Sequence, residues 1–352
     1  MAVSKWQRFW IKLRNWEYWP SQAFYYPLIP HFLWQALRAG HPAFFTATNP
    51  AIFTGGFGFE SKYDTMVQIP AQYRPKTVLL PPSISIQEAL SIIEAAAIEF
   101  PLILKPDLGF RGFLVQKVAS PEVLATILEQ LDIAFLAQEL VLAKEEFGVF
   151  YHRFPGQASG RITSLTLKTF LEVVGDGQAT VQQLMEADQR ALLQLDRIQE
   201  QAPDLLTKVP QKGARIPLGM IGNHSKGTRF INGNHLIDQE LTRTFDRICD
   251  QMPGICYGRF DIKCDSFEQL KQGTGIKILE INGTCSEPTH IYDQTKGTYW
   301  SALRDFAAHW TLVRKIAVAN HRLGAPYLPA TRMIRTIREG FAYFRKIAEL
   351  QK

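Results

Sequence analysis

The sequence predicts an α+β fold, and three observations carry that expectation. Its 352 residues are 46% apolar, enough to bury a sizeable core in two or three globular units. Short β-like runs come in neighbouring pairs, 102–105 with 113–118 and 258–264 with 277–281. Helical patterns fall between the pairs rather than after every strand, so the order is not the repeating array of a parallel sheet.

Residues 1–76 open the chain as an aromatic and basic region. Five of the seven tryptophans (Trp6, Trp10, Trp16, Trp19, Trp34) lie here among Lys5, Arg8, Lys12 and Arg14. Rings with polar tips beside cations suit an anionic headgroup boundary, and equally suit an arm that packs on the body of the protein. Ser85 to Phe100 then reads as a helix, capped by Ser83 or Ser85, with Ala89, Leu90, Ile93, Ala96 and Ala97 on one face and Pro101 as its stop. Leu102–Lys105 and Phe113–Val118 read as strands around a glycine-bearing turn, and Ser120–Leu131 as the next helix. Ala134–Val141, Gly148–Phe154 and Arg161–Val174 continue the strand pattern. Leu236–Met252 reads as a helix, Gly258–Cys264 and Lys277–Ile281 as a late strand pair, and Tyr299–His321 as a long closing helix. Residues 323–352 read as a basic amphipathic helix, with Ile334, Ile337, Phe341 and Phe344 at helical spacing beside Arg332, Arg335, Arg338, Arg345 and Lys346.

Composition excludes several function classes. The formal charge of +6 comes without zinc-finger spacing, an RNP-type aromatic motif or a long basic run, so no nucleic-acid partner is expected. The apolar stretch 24–37 is broken by Pro27, Pro30 and His31 and is too short to cross a bilayer. The opening residues lack the continuous apolar core of an export signal, and Cys249, Cys256, Cys264 and Cys285 include no CxxC pair. A cytoplasmic setting is expected, with contact at the inner face of the membrane through the two basic, aromatic ends.

Three segments carry chemistry. In LILKPDLGFRGFLVQKV, a strand ends in Lys105 and a turn carries Gly109, Arg111 and Gly112. Glycines let backbone N–H groups approach phosphate oxygens, and Lys105 and Arg111 supply fixed charge; an ordinary glycine hairpin is the plain alternative. In the second, Gln138, Glu139, Leu140 and Val141 run from strand into linker, with Glu146 seven residues beyond Glu139. Such a linker can offer backbone groups to an adenine edge and a carboxylate to ribose hydroxyls, or be a solvated acidic loop. The third, GRFDIK followed by KILEINGTCSEPTH, places Asp261, Glu280 and Asn282 inside apolar strands. Burying carboxylates costs several kcal/mol unless a cation compensates. Two carboxylates and an amide oxygen are a hard donor set suited to Mg²⁺ with phosphate. Arg259 stands beside them for a transferring phosphoryl group; a structural ion pair from Arg259 to Glu280 is the alternative.

In this order, the lysine with its glycine turn, the Gln-Glu-Leu-Val linker, GRFDIK and LEINGT resemble the ATP-grasp superfamily, especially D-alanine:D-alanine ligase and related carboxylate–amine ligases, over roughly residues 77–322. The resemblance implies an ATP-grasp fold of two α+β lobes gripping the nucleotide, with 77–141 as the N-terminal lobe and 142–322 as the C-terminal lobe holding the magnesium site. It implies that Lys105 contacts the phosphates under a flap of Gly109 to Gly112, that Glu139, Leu140 and Val141 bind adenine, and that Glu146 binds ribose. Arg259 matches the phosphate-contacting arginine, and Asp261, Glu280 and Asn282 match the magnesium ligands. FLEVVGDGQATVQQL is similar to a segment of amino-acid ligases such as cyanophycin synthetase; Lys168, on the preceding strand, would contact phosphate as a catalytic group, with Asn223, Ser225 and Lys226 on the acceptor or transferring-phosphate side, a polar loop being the plain alternative for that run. Residues 1–76 are too short for the Rossmann-like domain that precedes the grasp in these ligases. Lys62 lies near their phosphate-binding lysine, but the closest alignment puts Met66 at that site.

The implied activity is an ATP-dependent ligase using one or two Mg²⁺, with Mn²⁺ as a substitute. A substrate carboxylate becomes an acyl phosphate and an amine then captures it as an amide or peptide bond. The alternatives are an ATP-grasp kinase acting on a small molecule, and a membrane-associated nucleotide-binding protein without ligase activity. Charge repulsion between the carboxylates of an ion-free site further predicts that Asp261→Ala or Glu280→Ala leaves the fold largely intact.

Overall fold

The computed structural model describes residues 5–350, except 110, 111, 113, 220, 221 and 223–225. The N-terminal arm contains α1 (Lys5–Arg14), α2 (Gln22–Tyr25), α3 (Ile29–Ala39) and α4 (Lys62–Val67). It divides the aromatic residues between two fates. Trp16, Phe24, Leu28 and Phe44 are buried in one cluster with Phe306, Trp310 and Ile316, whereas Trp6, Trp10 and Trp34 are exposed.

The first lobe is an antiparallel sheet of β1 (Thr77–Leu80), β2 (Leu102–Pro106), β3 (Gln116–Val118) and β4 (Phe135–Glu139), in the order β1-β4-β2-β3. Helices α5 (Ile86–Ala95) and α6 (Pro121–Gln130) bury Ala89, Ile93, Leu124 and Ile127 against Leu102, Leu104 and Phe135 of the sheet. Ser85 caps α5 in a capping box with Glu88, whose side chain returns to the Ser85 backbone. The helix stops at Ala95, short of Phe100, because Ala97 turns left-handed at φ 50°. The strand expected from 113 begins at Gln116.

The second lobe holds β5 (Glu145–His152), β6 (Arg161–Thr169), β7 (Glu172–Val174), helices α7 (Val181–Ala187), α8 (Gln189–Leu192), α9 (Leu195–Gln201) and α10 (Pro203–Leu206), and strands β8 (Arg215–Pro217) and β9 (Arg229–Asn232). It continues with α11 (Gln239–Cys249), β10 (Tyr257–Cys264), α12 (Phe267–Gln272) and β11 (Lys277–Asn282). Five strands form an antiparallel sheet in the order β11-β10-β5-β6-β9, while β7 and β8 pair separately. The stretch expected as one strand over 161–174 therefore breaks at Phe170, and β7 opens a small unit in which Val173, Val181, Met185 and Ile198 share their own core.

Successive strand residues point to opposite faces, so one set builds the core and the other builds the site. Phe147, Val149, Tyr151, Phe260 and Ile262 face α11, whose Leu241, Phe245 and Ile248 complete the core. The register between β10 and β11 slips once: Asp261 pairs with Glu280 but Ile262 pairs with Ile278, leaving Leu279 as an extra residue. This bulge lets Ile278 and Ile281, three positions apart, share the core face.

Helices α13 (Tyr299–Arg322) and α14 (Ala330–Leu350) close the chain. The arm packs along α13, and α14 returns to the first lobe, where Ile347 is buried with Leu102 and Phe135. The last helix is thus partly a clamp on that lobe rather than a free basic surface.

Asn49 ties the arm to the second sheet. Its amide nitrogen donates to the carbonyls of Gly55 (2.9 Å) and Tyr257 (2.8 Å), and its oxygen accepts from the N–H groups of Cys256 (2.8 Å) and Tyr257 (2.9 Å). Nearby, Gly56 and Gly283 approach so closely that a Cβ on Gly56 would lie 2.5 Å from the Gly283 Cα. Asn49→Ala would strand buried backbone groups and is expected to cost about 3 kcal/mol. Urea unfolding measures this; a loss under about 0.5 kcal/mol would show that the amide does not hold the arm in place.

Candidate active site

The polar face of the five-stranded sheet follows from strand alternation. Arg259 and Asp261 on β10, Glu280 and Asn282 on β11, Glu146 and Gly148 on β5, and Thr166 and Lys168 on β6 share it through the ladders Arg259–Asn282, Asp261–Glu280, Asp261–Gly148 and Glu146–Lys168. Asp261 is the hub. Its Oδ1 accepts from Lys168 Nζ (2.9 Å) and Arg259 Nε (3.2 Å), and its Oδ2 from Arg259 Nη2 (3.2 Å) and Asn282 Nδ2 (3.0 Å). Those four bonds fill the acceptor positions of a carboxylate. Gly148 makes room for this: a side chain there would begin 3.6 Å from Asp261 Oδ1 and 3.2 Å from Thr289 Oγ1.

Charge compensation decides the ionisation states. Burial opposes ionisation of Asp261, but the Arg259 charge and then Lys168 outweigh it and hold the carboxyl well below its ordinary range. Burial likewise disfavours the Lys168 ammonium, yet Asp261 and Glu146, which accepts from Lys168 at 2.7 Å, raise its pKa. The structure places Lys168 under the carboxylates as their counter-charge, paired with Glu146 on one side and Asp261 on the other. Both Glu146 and Lys168 are buried. Arg259 pairs with Asp261 rather than with Glu280, the alternative read from the sequence, and its Nη1 donates to the Glu287 carbonyl at 3.1 Å.

The opposite wall comes from the first lobe. Lys105, at the end of β2, donates to Gln138 Oε1 (3.3 Å) and crosses to the Leu279 carbonyl (3.1 Å) at the bulge of β11. Its ammonium therefore joins the two sheets beside Glu280. Burial lowers its pKa to about 8, with the Glu280 charge the largest opposing influence. Gly109 and Gly112 lie in the turn beyond β2, and Arg111 falls outside the described residues, as do Asn223 and Ser225. The Gly109 carbonyl accepts a hydrogen bond from Lys62 Nζ. Glu139 ends β4, and Leu140 and Val141 form the linker into β5, where the Val141 carbonyl accepts from Lys263 Nζ at 3.3 Å.

Lys62 is the principal residue that the sequence did not assign. Met66, at the position given by the closest alignment, is buried in the core, whereas Lys62 reaches the turn and bears on Lys105 electrostatically. Asp107 fixes this placement by accepting from Ser61 Oγ (2.9 Å) and Tyr63 N (2.9 Å), which docks the start of α4 onto the end of β2. Glu287, whose side chain accepts from the Tyr292 hydroxyl, was also unassigned. No local motif marks Lys62, because its placement depends on a contact distant in sequence.

Among the described residues, no cluster of three or more His, Cys, Asp or Glu side chains forms a ready metal site. Asp261 and Glu280 supply two carboxylates, and Asn282 supplies an amide oxygen once its nitrogen releases Asp261. The donor types fit a hard divalent ion. In the conformation seen here, Asp261 is saturated by cations and amide, so Glu280 is the carboxylate with open acceptor capacity.

No protein-family model matches the chain, and no curated protein matches it by sequence. Among solved structures it is similar to the VanG D-Ala:D-Ser ligase from Enterococcus faecalis, at 12% identity and a TM-score of 0.42 over 76% of this chain and 64% of that one. It is similar to the D-alanine–D-alanine ligase from Bacillus anthracis at 14% identity and a TM-score of 0.39, over 74% and 69% of the two chains. It is also similar to a bifunctional glutathione synthetase from Pasteurella multocida at 17% identity and a TM-score of 0.34, over 69% of this chain and 35% of that one. The chain spans less than two thirds of the D-Ala:D-Ser ligase and about a third of the glutathione synthetase.

The ion network corrects the expectation that either carboxylate can be removed without harm. Asp261→Ala leaves Arg259 and Lys168 under-compensated in a buried setting and is expected to cost about 3–5 kcal/mol, while Glu280→Ala costs under about 1 kcal/mol. Thermal and urea unfolding of both variants checks the contrast. Equal losses would contradict the role of Asp261 as counter-ion.

Proposed function

We propose that the chain is an ATP-grasp enzyme, an ATP-dependent ligase that joins a small-molecule carboxylate to an amine through an acyl phosphate. One observation carries this reading: Lys105, from the first lobe, bonds to the Leu279 carbonyl at the β11 bulge and feels the charges of Glu280 and Asp261, on the strand pair that also carries Arg259 and Asn282. Phosphoryl transfer is mainly positioning and charge stabilisation, so opposed cations over a carboxylate pair are the parts it needs.

Each group then has a task. Lys105 and Lys62 hold the triphosphate beside the glycine turn that follows β2, and Arg111, read from the sequence, would add a further cation. Glu139, Leu140 and Val141 bind the adenine edge at the linker between the lobes. Arg259 leaves Asp261 to meet the transferring phosphoryl group. Lys168 keeps its place beneath the carboxylates and positions them, while Glu146, held by Lys168, presents its second oxygen toward ribose. Glu280, Asp261 and the Asn282 oxygen would hold Mg²⁺ or Mn²⁺, which when bound draws negative charge off the phosphates. The substrate carboxylate attacks the γ-phosphorus in line, forming an acyl phosphate and ADP. The amine then attacks the acyl carbon, phosphate leaves, and the amine proton passes to solvent or phosphate.

A carboxylate labelled with heavy oxygen tests the route. Screened with ATP, Mg²⁺ and paired amines, the enzyme is expected to deliver one labelled oxygen to released phosphate and an amide of the predicted mass. ADP formation with a phosphorylated hydroxyl product and no label in phosphate would instead establish a kinase.

The lowered pKa of Lys105 gives a second test. A bound triphosphate favours the ammonium and moves its pKa back up, so binding of a non-hydrolysable ATP analogue at about pH 8.5 should draw a proton from buffer, and at pH 6 should not. Lys105→Arg, always charged, should abolish the uptake. Calorimetry in two buffers of different ionisation heat measures it; equal uptake in the variant would remove Lys105 from the phosphate site.

A further inference from the structure

Helix α1 is amphipathic in the opposite sense to a packed surface helix. It turns Ile11 inward and pairs Arg8 with Asp196, yet Trp6, Phe9, Trp10 and Leu13, at i, i+3, i+4 and i+7, are 46–68% exposed. Helix α3 repeats the arrangement. His31 and Gln35 bond to Ala307 and Thr311 of α13, while Ile29, Leu33, Trp34 and Leu37 on its other side are 45–72% exposed. The two stripes are linked. The Trp19 indole donates to the Leu13 carbonyl at 3.0 Å and its ring lies 5.2 Å from Tyr299, whose hydroxyl donates to the Ala23 carbonyl in α2. The next residue, Trp300, is 75% exposed.

The charged side chains on α1 and α3 are all basic, and Asp196, which stands beside α1, is held by Arg8. Lys5, Lys12, Arg14 and Arg38 are exposed, and the sole acidic residue among 5–59 is Glu17, which is paired with Arg190 at 2.6 Å. A groove of about 330 Å³ beside Trp10 is lined by Arg14, Gln7, Asn15 and Gln189, with no carboxylate. Apolar side chains flanked by cations and ringed with indoles match the boundary between acyl chains and anionic headgroups. A second copy of the chain fits less well, since its matching face would bring cations onto cations. No described helix is long and apolar enough to cross a membrane, so contact would be at the surface.

We infer that the exposed faces of α1 and α3 form a docking surface for an anionic lipid bilayer. The inference does not rest on the ligase reading. It also narrows the expectation drawn from both chain ends, because α14 spends part of its apolar face on the first lobe.

Flotation of the full-length protein with vesicles of phosphatidylglycerol and phosphatidylcholine, or phosphatidylcholine alone, tests the surface. The protein should float with the anionic vesicles, less so as salt rises, and about tenfold less after Leu33→Glu with Leu37→Glu or after Lys5→Glu with Lys12→Glu. Should the leucine pair fail to fold, judged by its unfolding midpoint, Trp6→Ser with Trp10→Ser takes its place. Absence of flotation, or equal flotation of the variants, would overturn the inference. So would a lipid-free dimer, seen by sedimentation equilibrium, that Leu33→Glu dissolves.

Discussion

The buried carboxylate of Asp261 accepts four hydrogen bonds from three side chains on three strands, and the polar face of the second sheet is organised around it. Its charge keeps Lys168 protonated between two carboxylates, orients the Arg259 guanidinium and fixes the Asn282 amide. An ion so deeply placed is costly unless fully paired, and this pairing gives each neighbour a single favourable position. Under the proposed function, the same saturation means that phosphate and metal would compete for groups already engaged. Arg259 and Asn282 have alternative partners in prospect, whereas Lys168, locked to Glu146 as well, does not.

The β11 bulge gives this network its second half. Slipping the register by one residue at Leu279 keeps Ile278 and Ile281 in the core and leaves a carbonyl for Lys105 from the other sheet. The two lobes thus meet at a charged seam as well as through apolar contact, since Leu136 of β4 shares the core of the second sheet. The N-terminal arm borders the same region: Gly56 lies against Gly283, and Lys62 reaches the Gly109 turn. An arm of under eighty residues therefore contributes directly to the site as well as covering α13 with aromatic rings.

Much of this arrangement was legible in the sequence, for local reasons. Asp261, Glu280 and Asn282 stood out because polar residues interrupt apolar strand patterns, and two-residue alternation already placed them on one face. Lys105 and the glycine turn were readable as strand end and turn. Lys62 was not, because its position depends on Asp107 docking α4 against β2. The Glu146–Lys168 pair required the β5–β6 register, and the bulge at Leu279 is a property of pairing rather than of residue type. The helices between Val181 and Leu206 passed unread although Thr180 and Gln183 form a capping box ahead of α7, since their apolar faces close a core of their own. Among the tryptophans, no local pattern separates Trp16, buried on α13, from Trp6, left in solvent.

The proposed function requires a divalent ion and a triphosphate to meet at the polar face of the five-stranded sheet. The most direct measurement is an electron paramagnetic resonance titration of Mn²⁺ with a non-hydrolysable ATP analogue, on the native chain and on Glu280→Gln. Nucleotide-dependent Mn²⁺ binding in the native chain, lost in the variant while its unfolding midpoint is unchanged, is the predicted result. Mn²⁺ binding of equal strength in both proteins would place the ion elsewhere and contradict the account.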